Sequence, residues 1–155
     1  MKLVTLQKQE VLDVINSTGE YIPNPKYNCL PSEYKEMFEA YSKKTGLEIN
    51  AAIWAWHTVG YKRVDNVPNM ALVGEMESYY HDKNKNVALL LDVPDNLVLL
   101  TDAYSWASYV SDPLEIRLEN PYLWDVKVNW SAVEYVQAIF PTIRKEYVLG
   151  YVKLD

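Results

Sequence analysis

The stretch VALLLDVPDNLVLLTDAYSW, residues 87–106, decides the fold. Val87–Leu91 and Leu97–Leu100 are apolar runs of strand length, and the turn-forming residues Pro94-Asp95-Asn96 separate them. The second run leads straight into a helix signal. Thr101 or Asp102 can accept from the first free N–H groups, and Ala103, Trp106, Ala107 and Val110 recur on one face. Asp112-Pro113 ends the helix, since proline has no N–H and clashes with the preceding turn. Strands and helix in this succession read as the sheet core of an α+β domain.

Working outward, Leu3–Leu6 is β-prone and reads as a strand joined to the sheet from the chain's beginning. In Lys8–Thr18 the residues Val11, Leu12, Val14 and Ile15 crowd one side, and Gly19 stands where a left-handed helix cap belongs. Tyr21–Pro31 holds three prolines and two asparagines and reads as an extended surface loop. Ser32 can cap a second helix, in which Tyr34, Met37, Phe38 and Tyr41 share a face and Gly46 marks the stop. Ala51–His57 alternates as a strand, with Ile53 and Ala55 on one side and Trp54 and Trp56 forming an aromatic platform on the other. Residues 65–86 are irregular, with a partly helical excursion ending in the polar DKNKN run, and read as a surface loop. Asn129 caps a single turn at Trp130, Val136–Phe140 alternates as a strand, and Tyr147–Lys153 is the last strand.

The chain has 155 residues, 49% of them hydrophobic and 23% charged, which suits one globular domain spanning residues 1–155 with a single core. The expected architecture is a mixed or mostly antiparallel sheet of about five to six strands with helices packed around it. A net charge of −6 disfavours broad nucleic-acid binding, which depends on clustered Lys and Arg. Cys29 is the only cysteine, no basic-then-apolar leader opens the chain, and no apolar run approaches the length of a membrane span. A cytoplasmic protein is the expectation.

Few residues carry recognisable chemistry. Glu77, His81 and Asp82 form the densest candidate metal cluster, with Glu77 and His81 at helical i, i+4 spacing, but no companion motif accompanies them. The five glycines stand singly, so no phosphate-cradling loop exists. No serine sits in a nucleophile elbow, and Cys29 has no nearby base. Aromatic composition is more telling, with 5 Trp and 13 Tyr against 2 Phe. Such side chains suit wet pockets and interfaces as well as cores, although Trp54, Trp56, Trp106, Trp124 and Trp130 read chiefly as packing residues.

The segments MKLVTLQ, IWAW, LLLDVPDNLVLLTDAYSW and VQAIFPTIRKEYV together resemble a widespread bacterial family known by a domain-of-unknown-function label, family 3841. The resemblance covers nearly the whole chain and is most specific in VPDNLVLLTDAYSW, with its valine-proline turn, its Thr-Asp pair and a Trp one turn later. That family carries no activity to transfer. More distantly, the opening strand, the short helix closed by Gly, and the late strand running through Pro-x-Ile to a final strand are similar to small ADP-ribosyltransferase-like domains.

This second resemblance implies NAD as cofactor. It also implies a His or Arg on the first strand, an aromatic residue stacked on nicotinamide, and a late Glu facing the ribosyl centre, where positive charge develops. The present chain offers Thr5 and Gln7 on the first strand and the neutral Gln137 at the position of the Glu. Glu134 and Glu146 lie nearby, and Tyr21, Trp54, Trp56 and His57 can wall a nucleotide-sized cleft. Three readings follow. The first is a bacterial or phage binding module on an ADP-ribosyltransferase-like scaffold with degenerate catalytic positions, its partner a protein or small molecule. The second is a divergent NAD-dependent ADP-ribosyltransferase in which Glu134 or Gln137 is catalytic and Thr5, Gln7, Tyr21, Trp54 and His57 bind the cofactor. The third is an acidic decoy that inhibits a nucleic-acid-binding protein.

Overall fold

A computed structural model describes residues 1–28, 31–66, 69–70, 73, 85–111, 123 and 128–154. Nine strands can be followed through them: β1 (Lys2–Gln7), β2 (Glu20–Tyr21), β3 (Ile53–Val59), β4 (Lys62–Arg63), β5 (Val87–Asp92), β6 (Leu99–Asp102), β7 (Val136–Phe140), β8 (Ile143–Arg144) and β9 (Val148–Lys153). The helices are α1 (Gln9–Thr18), α2 (Pro31–Thr45) and α3 (Ala103–Ser111). The main sheet runs β6-β7-β3-β1-β5-β9 with β4 hairpinned onto β3, and β2 and β8 form a separate pair. Every pairing among the described residues is antiparallel. The chain is therefore an α+β domain, with seven strands in its main sheet rather than five or six.

The two apolar runs of residues 87–100 do form strands, but these are not neighbours. β7, β3 and β1 lie between β6 and β5. In a flat sheet four strand spacings amount to about 19 Å. Residues 93–98 cover the gap, with a 3₁₀ turn at Asp95–Leu97 among them. The link is clamped where it crosses. The Met1 ammonium donates to Asp92 Oδ1 at 3.0 Å and pairs with Asp95 Oδ1 at 2.9 Å. Tyr41 Oη of α2 donates to the Leu97 carbonyl at 2.7 Å, and Lys44 Nζ donates to that of Val98. Burial pushes the Tyr41 hydroxyl up to about 12.

Both faces of the sheet are covered. On one, Val11, Leu12 and Ile15 of α1 pack with Leu3, Leu89, Leu91, Ile53, Ala138 and Phe140. On the other, Met37 and Tyr41 of α2 meet Leu99 and Ile139, while Val4, Leu6 and Leu90 meet Val59, Val64, Met70 and Val73. This explains why β5 is apolar in consecutive positions and why β1 is buried at Leu3, Val4, Thr5 and Leu6 alike: both sides of the pleat are removed from water.

Local details depart from the sequence expectations where a helix meets fewer neighbours than its pattern implies. Val14 is exposed, so the buried stripe of α1 is Val11, Leu12 and Ile15, closed by Gly19 in the left-handed conformation. Helix α2 already includes Pro31, which puts Ser32 within its first turn rather than at the cap. Asp102, not Thr101, caps α3, its Oδ1 accepting from the N–H groups of Tyr104 and Ser105 at 2.9 and 3.1 Å. That helix buries Ser105 and Tyr109 and leaves Ala107 exposed. The expected loop at Tyr21–Pro31 contributes β2 and a 3₁₀ turn at Pro25–Tyr27. Tyr147 belongs to a 3₁₀ turn that precedes β9. Asp112 and Pro113 lie outside the described residues.

The β3–β4 hairpin turns on Gly60 (φ 56°) and Tyr61 (φ 65°), the two positive-φ positions of a two-residue hairpin loop. A tyrosine there strains its Cβ against the backbone, and its side chain is largely exposed. Its N–H donates to the Glu134 carbonyl at 2.9 Å, which holds the conformation. Tyr61→Asn keeps that backbone bond and relieves the strain. Urea denaturation should show it more stable than the parent by about 1 kcal/mol.

Candidate functional site

The residues proposed for an NAD site lie on β1, β3, β7 and the loop before it, and the separate strand β2, and their surroundings differ. Thr5 is fully buried: its hydroxyl donates to the Trp54 carbonyl at 2.7 Å and accepts from Gln7 Nε2 at 2.8 Å. It extends the β1–β3 contact beyond the single paired register Val4↔Trp56. His57 is buried at a bulge of β3, with Nδ1 2.8 Å from Thr58 Oγ1. Its carbonyl accepts from Val64 N–H at 3.1 Å and from Arg63 Nη1, and Arg63 Nη2 reaches the Lys2 carbonyl at 3.3 Å. Burial and the nearby Arg63 guanidinium push the imidazole down to about 4. His57 thus belongs to the Lys2 end of β1, while Gln7 stands at the other end, about 16 Å away along the strand.

The late-strand residues are elsewhere again. Glu134 precedes β7 and presents its carbonyl to Tyr61. Gln137 is half-buried between Trp56 of β3 and Thr101 of β6, its register partners. Tyr21 and Trp54 are brought together, lining one small cleft of about 150 Å³. Among the described residues no cleft gathers these seven side chains into one site.

The tryptophans of β3 share a side of the strand, but neither forms an open platform. Trp54 packs against Trp106 and Tyr34, with ring centroids 5.4 and 6.4 Å apart, while Trp56 meets Tyr135 edge-on at 6.5 Å. Trp124, Cys29 and the Glu77–His81–Asp82 cluster lie outside the described residues. Within the described residues no group of three or more His, Cys, Asp or Glu converges to hold a metal ion. No helix there is long and apolar enough to cross a membrane.

A larger concavity lies where α2 faces the loops on either side of it. Its main chamber, about 740 Å³, is walled by Tyr34, Phe38 and Ile49 and rimmed by Lys35, Glu39, Lys43 and Glu48. A second chamber of about 430 Å³ shares Glu48, Ile49 and Asn50 and continues to Ile22, Pro141 and Thr142. The small Tyr21–Trp54 cleft shares Asn28, Tyr34 and Phe38 with the main chamber. The three adjoin through these shared walls, and together they are called the groove beside α2. Asn28 Nδ2 donates to the Asn50 carbonyl at 2.8 Å and ties the loops together at the junction.

The chemistry of this groove is that of recognition. Its rim cations and carboxylates balance, two Lys against two Glu, so no strong field selects a multiply charged ligand. Ile22, Tyr27 and Leu47, on the loops that border it, are exposed by 65, 72 and 43%. Apolar side chains collected at the margin of a groove are a common mark of an interaction site. Sequence reasoning missed this site because Tyr34 and Phe38, at i, i+4 spacing, look like core residues. The proline- and asparagine-rich loop at residues 21–31 was the available signal.

No family model, curated protein or solved structure matches the chain.

Proposed function

We propose that this chain is a binding module whose groove beside α2 receives an extended, uncharged or charge-balanced segment of a partner protein. The observation that carries this reading is the groove itself, with aromatic walls, amide and hydroxyl groups from Asn28, Asn50 and Ser42, and exposed apolar residues at its margin. The scaffold reading is retained from the resemblance: an ADP-ribosyltransferase-like domain of bacterial or phage origin, working in the cytoplasm, whose catalytic positions have degenerated. Its support is that Thr5 and His57 are engaged in scaffold contacts and that Gln137 carries no charge.

The test is selection of random displayed peptides on the immobilised chain, followed by titration of the selected peptides. Ile49→Lys places a cation between the two larger chambers, and affinity should fall at least tenfold when measured well below the variant's own melting temperature. Peptides that bind Ile49→Lys as tightly as the parent would overturn the reading.

A second reading, a divergent ADP-ribosyltransferase, is favoured by the cleft that Tyr21 and Trp54 share, because paired aromatic walls suit a nicotinamide ring. Calorimetric titration with NAD separates the two. Binding heat together with NAD consumption that Glu134→Ala abolishes would establish the enzyme.

A further inference from the structure

Helix α2 carries two neighbouring stripes into the groove. Tyr34, Phe38 and Ser42 form one, and Lys35, Glu39 and Lys43 form the other, each with members four residues apart on one face. The second stripe presents cation, carboxylate and cation in that order, and all three side chains are exposed.

These charges are not spent on one another. Glu39 and Lys43 stand acid before base at i, i+4, the orientation that favours an intrahelical pair, yet among the described residues no ion pair joins them and none engages Lys35 or Glu48. On an open helix face water alone satisfies such groups. Here they stand beside aromatic walls at the rim of a chamber of about 740 Å³, where a bound segment displaces part of that water and must supply charges in its place.

Spacing says which segment can do so. Successive members of the stripe are about 6 Å apart, because four helical residues rise by 1.5 Å each. Side chains on one side of an extended chain recur at about 6.6 Å, every second residue. Over three positions the helix advances about 12 Å and an extended chain about 13 Å, so the two stay in step.

We propose that the groove beside α2 selects its peptide by the order of charges, taking an extended segment with acidic, basic and acidic side chains at alternate positions. The inference rests on the peptide-binding reading of the groove and adds the chemistry of the partner. The first acid meets Lys35, the base meets Glu39 and the second acid meets Lys43. The two intervening side chains turn toward Ile49 on the loop after α2 and are apolar. Such a segment is one charge from neutral, in keeping with the balanced rim. The order reads the same from either end, so both chain directions satisfy it. The reverse order sets like charges together at all three contacts, and that repulsion supplies the discrimination.

The experiment is fluorescence anisotropy of three capped, labelled peptides with the full chain at low salt. Their central residues are Glu-Leu-Lys-Leu-Glu, Lys-Leu-Glu-Leu-Lys and Gln-Leu-Gln-Leu-Gln. The first should bind at least tenfold more tightly than the second, with the neutral peptide between them, and added salt should narrow the gap. A variant carrying Lys35→Glu, Glu39→Lys and Lys43→Glu should reverse the ranking, a gain of binding for the second peptide that a misfolded chain does not show. A parent that binds none of the three, a parent that binds the first and second alike, or a triple variant that keeps the parent's ranking would each overturn the selection by charge order. The groove itself is judged separately. Equal binding of all three peptides that Ile49→Lys abolishes would keep the groove and remove the charge order, whereas binding that Ile49→Lys leaves untouched would remove both.

Discussion

Phe140→Ala should remove about 3–5 kcal/mol of stability, enough to consume much of what holds a domain of this size together. Phe140 is fully buried at the end of β7, paired in register with Ile53 of β3. It packs in the cluster that joins α1 to the sheet, so deleting its ring opens a cavity that strands on both sides cannot collapse into. Urea denaturation followed by tryptophan fluorescence reads the loss as a lower midpoint. A loss below about 1 kcal/mol would mean that this part of the core is not packed as described. Phe140→Leu keeps most of the volume and should lose less than half as much.

Acid should destabilise the fold through His57. Its folded value of about 4 lies below the ordinary 6.5, so the native state favours the neutral ring. Above pH 6.5 the ring is neutral in both states and contributes no pH dependence. As pH falls through 6.5 the unfolded chain binds a proton that the native chain refuses, and stability drains until about pH 4, where the native ring also protonates. The total is about 3 kcal/mol, from 1.36 kcal/mol per pH unit over that window. His57→Gln should flatten the profile between pH 4 and 6.5 relative to the parent, whatever the carboxylates contribute. Profiles of equal slope for parent and variant in that window would show that His57 is not the group responsible.

His57 also shows how a residue's chemistry is misread from sequence. A histidine beside two tryptophans suggests a ligand grip, yet a bulge in β3 turns it inward, where its ring meets Thr58 and its carbonyl holds Arg63. A bulge is the insertion of one residue against a partner strand, and nothing in IWAWHTV announces it. Trp54 and Trp56 illustrate the same limit. Alternation placed them on one side of β3, but whether that side stays open depends on α2 and α3 arriving there with Tyr34 and Trp106. The groove was harder still to foresee, since its walls come from a helix face and from loops before and after it, and Tyr34 and Phe38 serve the core and the groove at once.

By itself the sequence determined where the longer elements lie, because strand length, helical spacing, the glycines at positions 19 and 46 and the prolines act over a few residues. Short-range sterics and hydrogen bonding are enough for that. Only the tertiary structure decided that β5 and β6 lie four places apart in the sheet, that Thr5 and His57 belong to the scaffold, and that α2 leaves a groove along one flank. Those outcomes depend on pairings between residues far apart in the chain, whose partners are chosen by closing the whole core.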